Sequence, residues 1–438
     1  MPDSKKKLGL VGAIFFIVAS LAGSGIIALP QQLAATGSIT VVSFLIVVVG
    51  ALCLALVYVR AGMLFDDPSP TALATYVAPV LGAKSGFFYV FSNLISNVSI
   101  LIAGLGYLTF FVPQFDQPFI LGGTIIALIW VFTLLSLRGA KFVTMIVSCS
   151  VTALLFSVFV TGCFGWFSFD VQLFERNWNV SGLPEGQAIA SGFAVLLFSF
   201  VGVETVATNH EHINNPKRNV PLATIIGFLI VAVLYVFSTT VIEGMFTASV
   251  IREVPASFSL SIQHIFGSEF AGKLASLVMA IACLSSFLVW NLSVASAAKT
   301  SADRGFLPSV YSRINKHNIN SRGLVVNALL MTAVEFALMF LGSNVARAFN
   351  LTVTLAVLLI LFPYFWSGVA IIKKGIEVGT LLYRDCIVVV ISSLFLLSAF
   401  ESANFAELWI VIMFVMATMG VYALVLAVRQ NVGQRPDR

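Results

Sequence analysis

Apolar residues run along this chain in stretches of about twenty, the length an α-helix needs to cross a ~30 Å hydrocarbon core, and short polar segments separate them. Twelve stretches are legible, at about 9–33, 39–63, 83–112, 119–137, 142–166, 187–211, 221–245, 262–298, 322–342, 349–372, 382–400 and 405–428. The eighth is too long for a straight crossing and predicts a tilt or a kinked extension. The pattern therefore predicts an all-α polytopic membrane protein with 12 transmembrane helices, one domain over residues 1–428 and a tail at 429–438.

Composition agrees, since 59% of the residues are hydrophobic and 10% are charged, which excludes an ordinary soluble domain. Charge then orients the spans. With the amino terminus inside, 24 Lys and Arg residues divide so that only Arg176, Arg252, Lys273 and Arg347 fall outside. Basic residues are retained on the cytoplasmic side, so both termini are expected there. The net charge of +5 thus reflects topology, and no soluble face exists to gather it for nucleic acid. The basic start leads into an apolar run too long for a signal-peptide core, so the first span is expected to stay. Cys53, Cys149, Cys163, Cys283 and Cys386 lie in or beside apolar spans without metal-ligand spacing and read as packing residues. His210, Glu211 and His212 lack a further ligand, and no metal or other cofactor is expected.

Two spans are interrupted. Gly23-Ser24-Gly25 stands five residues before Pro30 in the first, and Gly202 follows Ser199-Phe200-Val201 at the matching place of the sixth. Broken helices in corresponding positions of two halves point to a transporter site built on repeats. The backbone groups freed there need solute, ion or water, because lipid offers no partner. Glu204 follows the second break inside the apolar run Phe193–Thr208. A charged side chain there costs about 2.5–3.5 kcal/mol on insertion scales and usually faces a cavity or a partner. Its other reading is a buried acid paired to stabilise the bundle.

At these residues the chain resembles the amino acid/polyamine/organocation transporters, and within them the basic amino acid/polyamine antiporters. The resemblance spans nearly the whole length. Gly23–Pro30, Phe200–Thr205, Asn215–Pro221 and Ser301–Pro308 carry it. It implies a LeuT-like five-plus-five inverted repeat with discontinuous helices 1 and 6, one half at about 9–166, the other at about 187–372, and two appended helices at about 382–428. It also implies a bacterial inner-membrane exchanger, not an enzyme, that trades lysine for cadaverine, arginine for agmatine or ornithine for putrescine with net proton export, in acid resistance or polyamine metabolism. A separate decarboxylase would supply the amine, and a homodimer stays open.

Site roles carried over from the resemblance place the substrate's α-amino and carboxylate groups at Ser24, Gly25 and Ile26, where amides at a half-helix N-terminus suit a carboxylate. Trp290 would meet the cationic or aliphatic tail, worth roughly 0.5–2 kcal/mol for a cation on an indole face. Asn97 and Thr354 match polar positions at the distal end, Phe198 and Val201 belong to the lining or gate, and Tyr89 and Tyr364 match aromatics near the pathway. Glu204 is implied as the coupling group, where proton and cationic solute compete for one carboxylate. Trp290, Tyr89 and Tyr364 are alternatively packing residues, and Asn97 and Thr354 alternatively join helices by hydrogen bonds.

Relatives usually carry Trp where Phe198 stands, and the segment Asn93–Asn97 also departs from the family pattern. Both changes bear on substrate choice, leaving basic and neutral amino acids open. A sodium-coupled symporter would draw hydroxyls from Ser285, Ser286 and Ser293, but no acid stands beside them in sequence. A channel or membrane-bound enzyme would need a continuous polar lining or a His, Cys or Asp constellation, and neither is legible. Glu335 is expected to be structural or lumenal, Glu243 to reach water at an outer end, and Asp303 with Arg304 to form a salt bridge, a gate or a solvated loop.

Overall fold

A computed structural model describes residues 8–65, 84–137, 140–202, 213–303, 307–315 and 320–401, and all of its named elements are helical. In chain order these are α1 (Leu10–Leu21), α2 (Ser24–Leu33), α3 (Thr40–Phe65), α4 (Lys84–Leu108), α5 (Pro118–Ser136), α6 (Ala140–Phe164), α7 (Val171–Arg176) and α8 (Glu185–Ser191). After them come α9 (Phe193–Ser199), α10 (Pro216–Met245), α11 (Ala248–Glu253), α12 (Ser257–Phe266), α13 (Glu269–Asp303), α14 (Ser321–Phe340), α15 (Val345–Val378) and α16 (Tyr383–Glu401). Eight helices among the described residues are long and apolar enough to cross a membrane by length and composition. The twelfth apolar stretch lies outside the described residues.

The first stretch is two helices. α1 ends at Leu21, Ala22 is extended, and Gly23 precedes a new helix that starts at Ser24. In the sixth stretch α9 stops at Ser199 and the chain turns through Phe200–Gly202, where Gly202 takes φ +113°, a region that disfavours side chains. Both expected interruptions are therefore present at the named glycines; residues 203–212 lie outside the described ones. Elsewhere a boundary departs from the hydropathy pattern: the eighth stretch divides at Gly267 (φ +60°) into α12 and the 35-residue α13. Ile265-Phe266 and Phe270 keep the segment apolar, so hydropathy runs across a stop made by one left-handed glycine.

Packing places α4 in the interior, against α13 on one side and α15 on the other. α9 sits against α2, α3 and α15, while α1 lies along α10. Small residues permit these approaches. A Cβ on Gly25 would stand 2.6 Å from the Ser199 Cα, so the two broken segments touch backbone to backbone. Tyr235 of α10 donates to the carbonyl of Leu21 at 2.8 Å, satisfying an acceptor that the break frees, and Tyr107 of α4 donates to Ile27 O at 2.9 Å. Outward positions are apolar instead, with Phe15, Phe119, Phe156 and Phe340 all strongly exposed, as a lipid-facing surface requires.

Glu243 does not reach water. It is buried, with Thr40 donating to Oε1 at 3.2 Å, because the segment after α7 folds over it and Asn177 Nδ2 donates to its backbone carbonyl at 2.7 Å. Glu335 is likewise buried in α14, beside Gly122 of α5, and its Oε2 has no hydrogen-bond partner among the described residues. Asp303 pairs with Lys299 at 2.5 Å on the exposed side of α13.

Candidate functional site

Where the two interrupted stretches meet, the chain leaves a cavity of about 40 Å³, lined by Leu21, Gly23 and Gly25 of the first break, Asn93, Ser96 and Ile100 of α4, Phe198, Ser199 and Val201 of the second break, and Trp290 of α13. Each contributor is explained by its element. Gly23 and Gly25 stand at the start of α2, which has no side-chain N-cap, so its first amides have no intrahelical acceptor. Asn93, Ser96 and Ile100 fall at i, i+3 and i+7 and share one face of α4. Phe198 closes another wall with its ring edge-to-face on Phe349 (centroids 6.1 Å, 88°). Trp290 completes the lining from α13, half-buried, in a mid-helix position.

The electrostatics follow from helix ends. α2 presents its amino terminus, carrying a partial positive charge that attracts anions, while α9 presents its carboxyl terminus, whose last carbonyls attract cations. No charged side chain lines the cavity among the described residues, so its polar groups are backbone groups, the Asn93 amide, the hydroxyls of Ser96 and Ser199 and the indole N–H of Trp290. Three of those side chains are partly committed to their own helices: Asn93 Nδ2 donates to Tyr89 O at 2.7 Å, Ser96 Oγ to Ser92 O at 3.0 Å and Ser199 Oγ to Val195 O at 3.1 Å. At ~10–15 Å³ for each water the cavity holds roughly three. A solute as long as lysine needs a helix or a side chain to move.

Of the residues named from the sequence, Gly25, Phe198, Val201 and Trp290 line this cavity. Ser24 opens α2 at the same break, and Ile26, fully buried, is not among the lining residues. Asn97 does not line the cavity. It is buried one residue beyond Ser96, with Nδ2 lacking a partner among the described residues, because the packing of α4 between α13 and α15 turns Asn93 and Ser96 inward. Thr354 of α15 is buried outside the lining, as are Tyr89 of α4 and Tyr364 of α15, the last edge-to-face on Tyr58 at 5.5 Å. Glu204 and the His210–His212 cluster lie outside the described residues. Leu21 and Ile100 are lining residues that sequence reasoning does not name; Gly23 and Ser199 enter it only at the helix breaks, and Asn93 and Ser96 only within the segment Asn93–Asn97 that departs from the family pattern.

A family model described as amino acid permease matches residues 8–421, nearly the entire chain. The chain belongs to the amino acid permease family. It is 33% identical over 389 residues to the cadaverine/lysine antiporter of Escherichia coli, covering 88% of this chain and 87% of that one. It is 32% identical over 370 residues to the putrescine transporter PotE of Escherichia coli, covering 84% and 83%. With PotE of Haemophilus influenzae it shares 29% over 411 residues, 92% and 93% of the two chains. This permease is accordingly an amino acid/polyamine transporter of multi-pass membrane type and not an enzyme. Its solute is a small molecule, and its helices lie in a membrane.

Proposed function

We propose that the permease is an antiporter that exchanges a basic amino acid for its decarboxylated amine across the bacterial inner membrane, with net export of a proton. The observation that carries this reading is one cavity that joins the amino end of α2, the carboxyl end of α9 and the indole of Trp290. Amides of Ser24, Gly25 and Ile26 receive the α-carboxylate, carbonyls at the end of α9 receive the α-ammonium, and the distal ammonium lies against Trp290. An amine without the carboxylate keeps the last two contacts and loses the first, so both solutes share one site. The two Escherichia coli relatives, named for cadaverine/lysine antiport and for putrescine transport, support the same solute class.

Phe198 and Val201 cover the solute in this scheme, and Glu204, two residues beyond Gly202, is where proton and cation compete. Asn97 and Thr354 line the distal end, and Tyr89 and Tyr364 gate the pathway, once the solute parts α4 from α15. Spans 1–5 and 6–10 form an inverted five-plus-five repeat, rocking about the cavity. Both termini face the cytoplasm, and a separate decarboxylase regenerates the amine. A proton- or sodium-coupled permease for neutral amino acids is the second reading, favoured by the uncharged lining among the described residues.

Counterflow in proteoliposomes distinguishes them. Radiolabelled lysine, arginine and ornithine are each offered to vesicles preloaded with cadaverine, agmatine or putrescine, and the same labels to empty vesicles under a sodium or a proton gradient. Uptake that requires an internal amine supports the exchanger, whereas uptake into empty vesicles driven by sodium or a proton gradient overturns it.

A further inference from the structure

Away from the helix breaks, two larger cavities of about 270 and 540 Å³ adjoin one another, sharing Val59, Arg60 and Met63 at the end of α3. Their walls come from the end of α3, the start of α10, the end of α15 and the start of α16, four helix ends that meet at one membrane surface. By the distribution of basic residues this is the surface expected to be cytoplasmic.

The chemistry of the groove is unlike that of a packing defect. Arg60, Lys217 and Arg384 line it against one acid, Asp385. Arg60 is already committed, its Nε donating to Asp385 Oδ2 at 3.1 Å and its Nη2 to Thr380 O at 2.5 Å, while Asp385 Oδ2 also accepts from Leu382 N at 3.1 Å. Lys217 and Arg384 form no ion pair among the described residues, so the groove carries an excess of about two positive charges at ordinary pH. Below the cations the walls turn apolar, through Leu56, Val57, Ile371, Val388 and Val389. Met63, Val378, Tyr383 and Ile387 around the groove are exposed, facing where lipid tails and head groups lie.

We propose that this groove binds an anionic membrane phospholipid, its phosphate between Lys217 and Arg384 and its acyl chains along the valines of α3 and α16. Charge complementarity selects the occupant: a zwitterionic head group would leave the excess charge unmet. Basic clefts between helices at this surface suit acidic head groups, with each cation worth about five-fold in binding. The site is independent of the transport reading, because none of its residues lines the cavity at the helix breaks.

The test uses the full chain purified in neutral detergent, mixed with phosphatidylglycerol and phosphatidylcholine, with bound lipids counted by native mass spectrometry. Wild type is expected to retain phosphatidylglycerol preferentially, and Lys217→Gln with Arg384→Gln to weaken that retention roughly 25-fold at unchanged circular dichroism. Should that variant unfold, Met63→Trp keeps every charge and narrows the groove, and is expected to lower retention as well. Equal retention by wild type and a folded variant overturns the proposal, as does displacement of the lipid by millimolar inorganic phosphate, which would mark a soluble-anion site. The chain's own Asp66 and Asp67 follow α3 directly. Retention unchanged by Asp66→Asn with Asp67→Asn supports the lipid, and a ten-fold rise would place that acidic segment in the groove instead.

Discussion

Trp290 is the residue on which the choice between a cationic and a neutral solute turns, because it is the aromatic ring that α13 contributes to the cavity lining. An ammonium on an indole face gains about 0.5–2 kcal/mol, and leucine keeps much of the apolar bulk without the quadrupole. Trp290→Leu is accordingly expected to raise the dissociation constant for lysine or cadaverine about 2- to 30-fold while leaving the melting temperature nearly unchanged. Calorimetric titration of the purified variant checks the first, and a thermal melt the second. An equal loss for a neutral amino acid such as leucine would assign the ring to shape alone. Glu243 and Asn97 show the reverse lesson at the same scale. Position along the chain suggests water for one and solute for the other, but burial of each is set by elements distant in sequence, Thr40 and Asn177 for Glu243 and the flanking helices α13 and α15 for Asn97.

At the scale of elements, the interruptions were legible because glycine signals a local event: a break needs a flexible residue at the break, and Gly23 and Gly202 stand there. The length of the eighth stretch predicts a tilt or a kinked extension, but the place of the division at Gly267 was hidden, since apolar residues continue on both sides and conformation, not hydropathy, ends α12. Which face of α4 meets the cavity was hidden too, as Asn93, Ser96, Asn97 and Ile100 all fit one stripe and only packing selects among them. Gly25 joins local sequence to tertiary contact. Its place for a Cβ is taken by the Ser199 backbone, so Gly25→Ala must push α2 from α9. Overpacking of this kind costs about 1–3 kcal/mol, and the variant is expected to lose transport and melt at a lower temperature. Unimpaired exchange and stability would show that the two segments separate freely.

For the whole molecule, hydropathy and charge delivered the class of fold, a helical bundle in a membrane, and the family match over residues 8–421 places it among the amino acid permeases. Coupling is a property of this scale because one group must report to both faces. Glu204→Gln keeps a similar shape and removes the exchangeable proton, so exchange is expected to lose its dependence on pH between 5 and 7 in proteoliposomes. A pH profile identical to wild type would remove Glu204 from the coupling role. The location of the solute site underlies these expectations, and cysteine protection addresses it most directly. In a background without the native cysteines, Ser96→Cys puts a thiol on the cavity wall, to be treated with a small cationic methanethiosulfonate reagent with and without saturating lysine or cadaverine. Reaction slowed at least ten-fold by solute is the expected result. A thiol that reacts at the same rate whatever solute is present would contradict a binding site between the two broken helices.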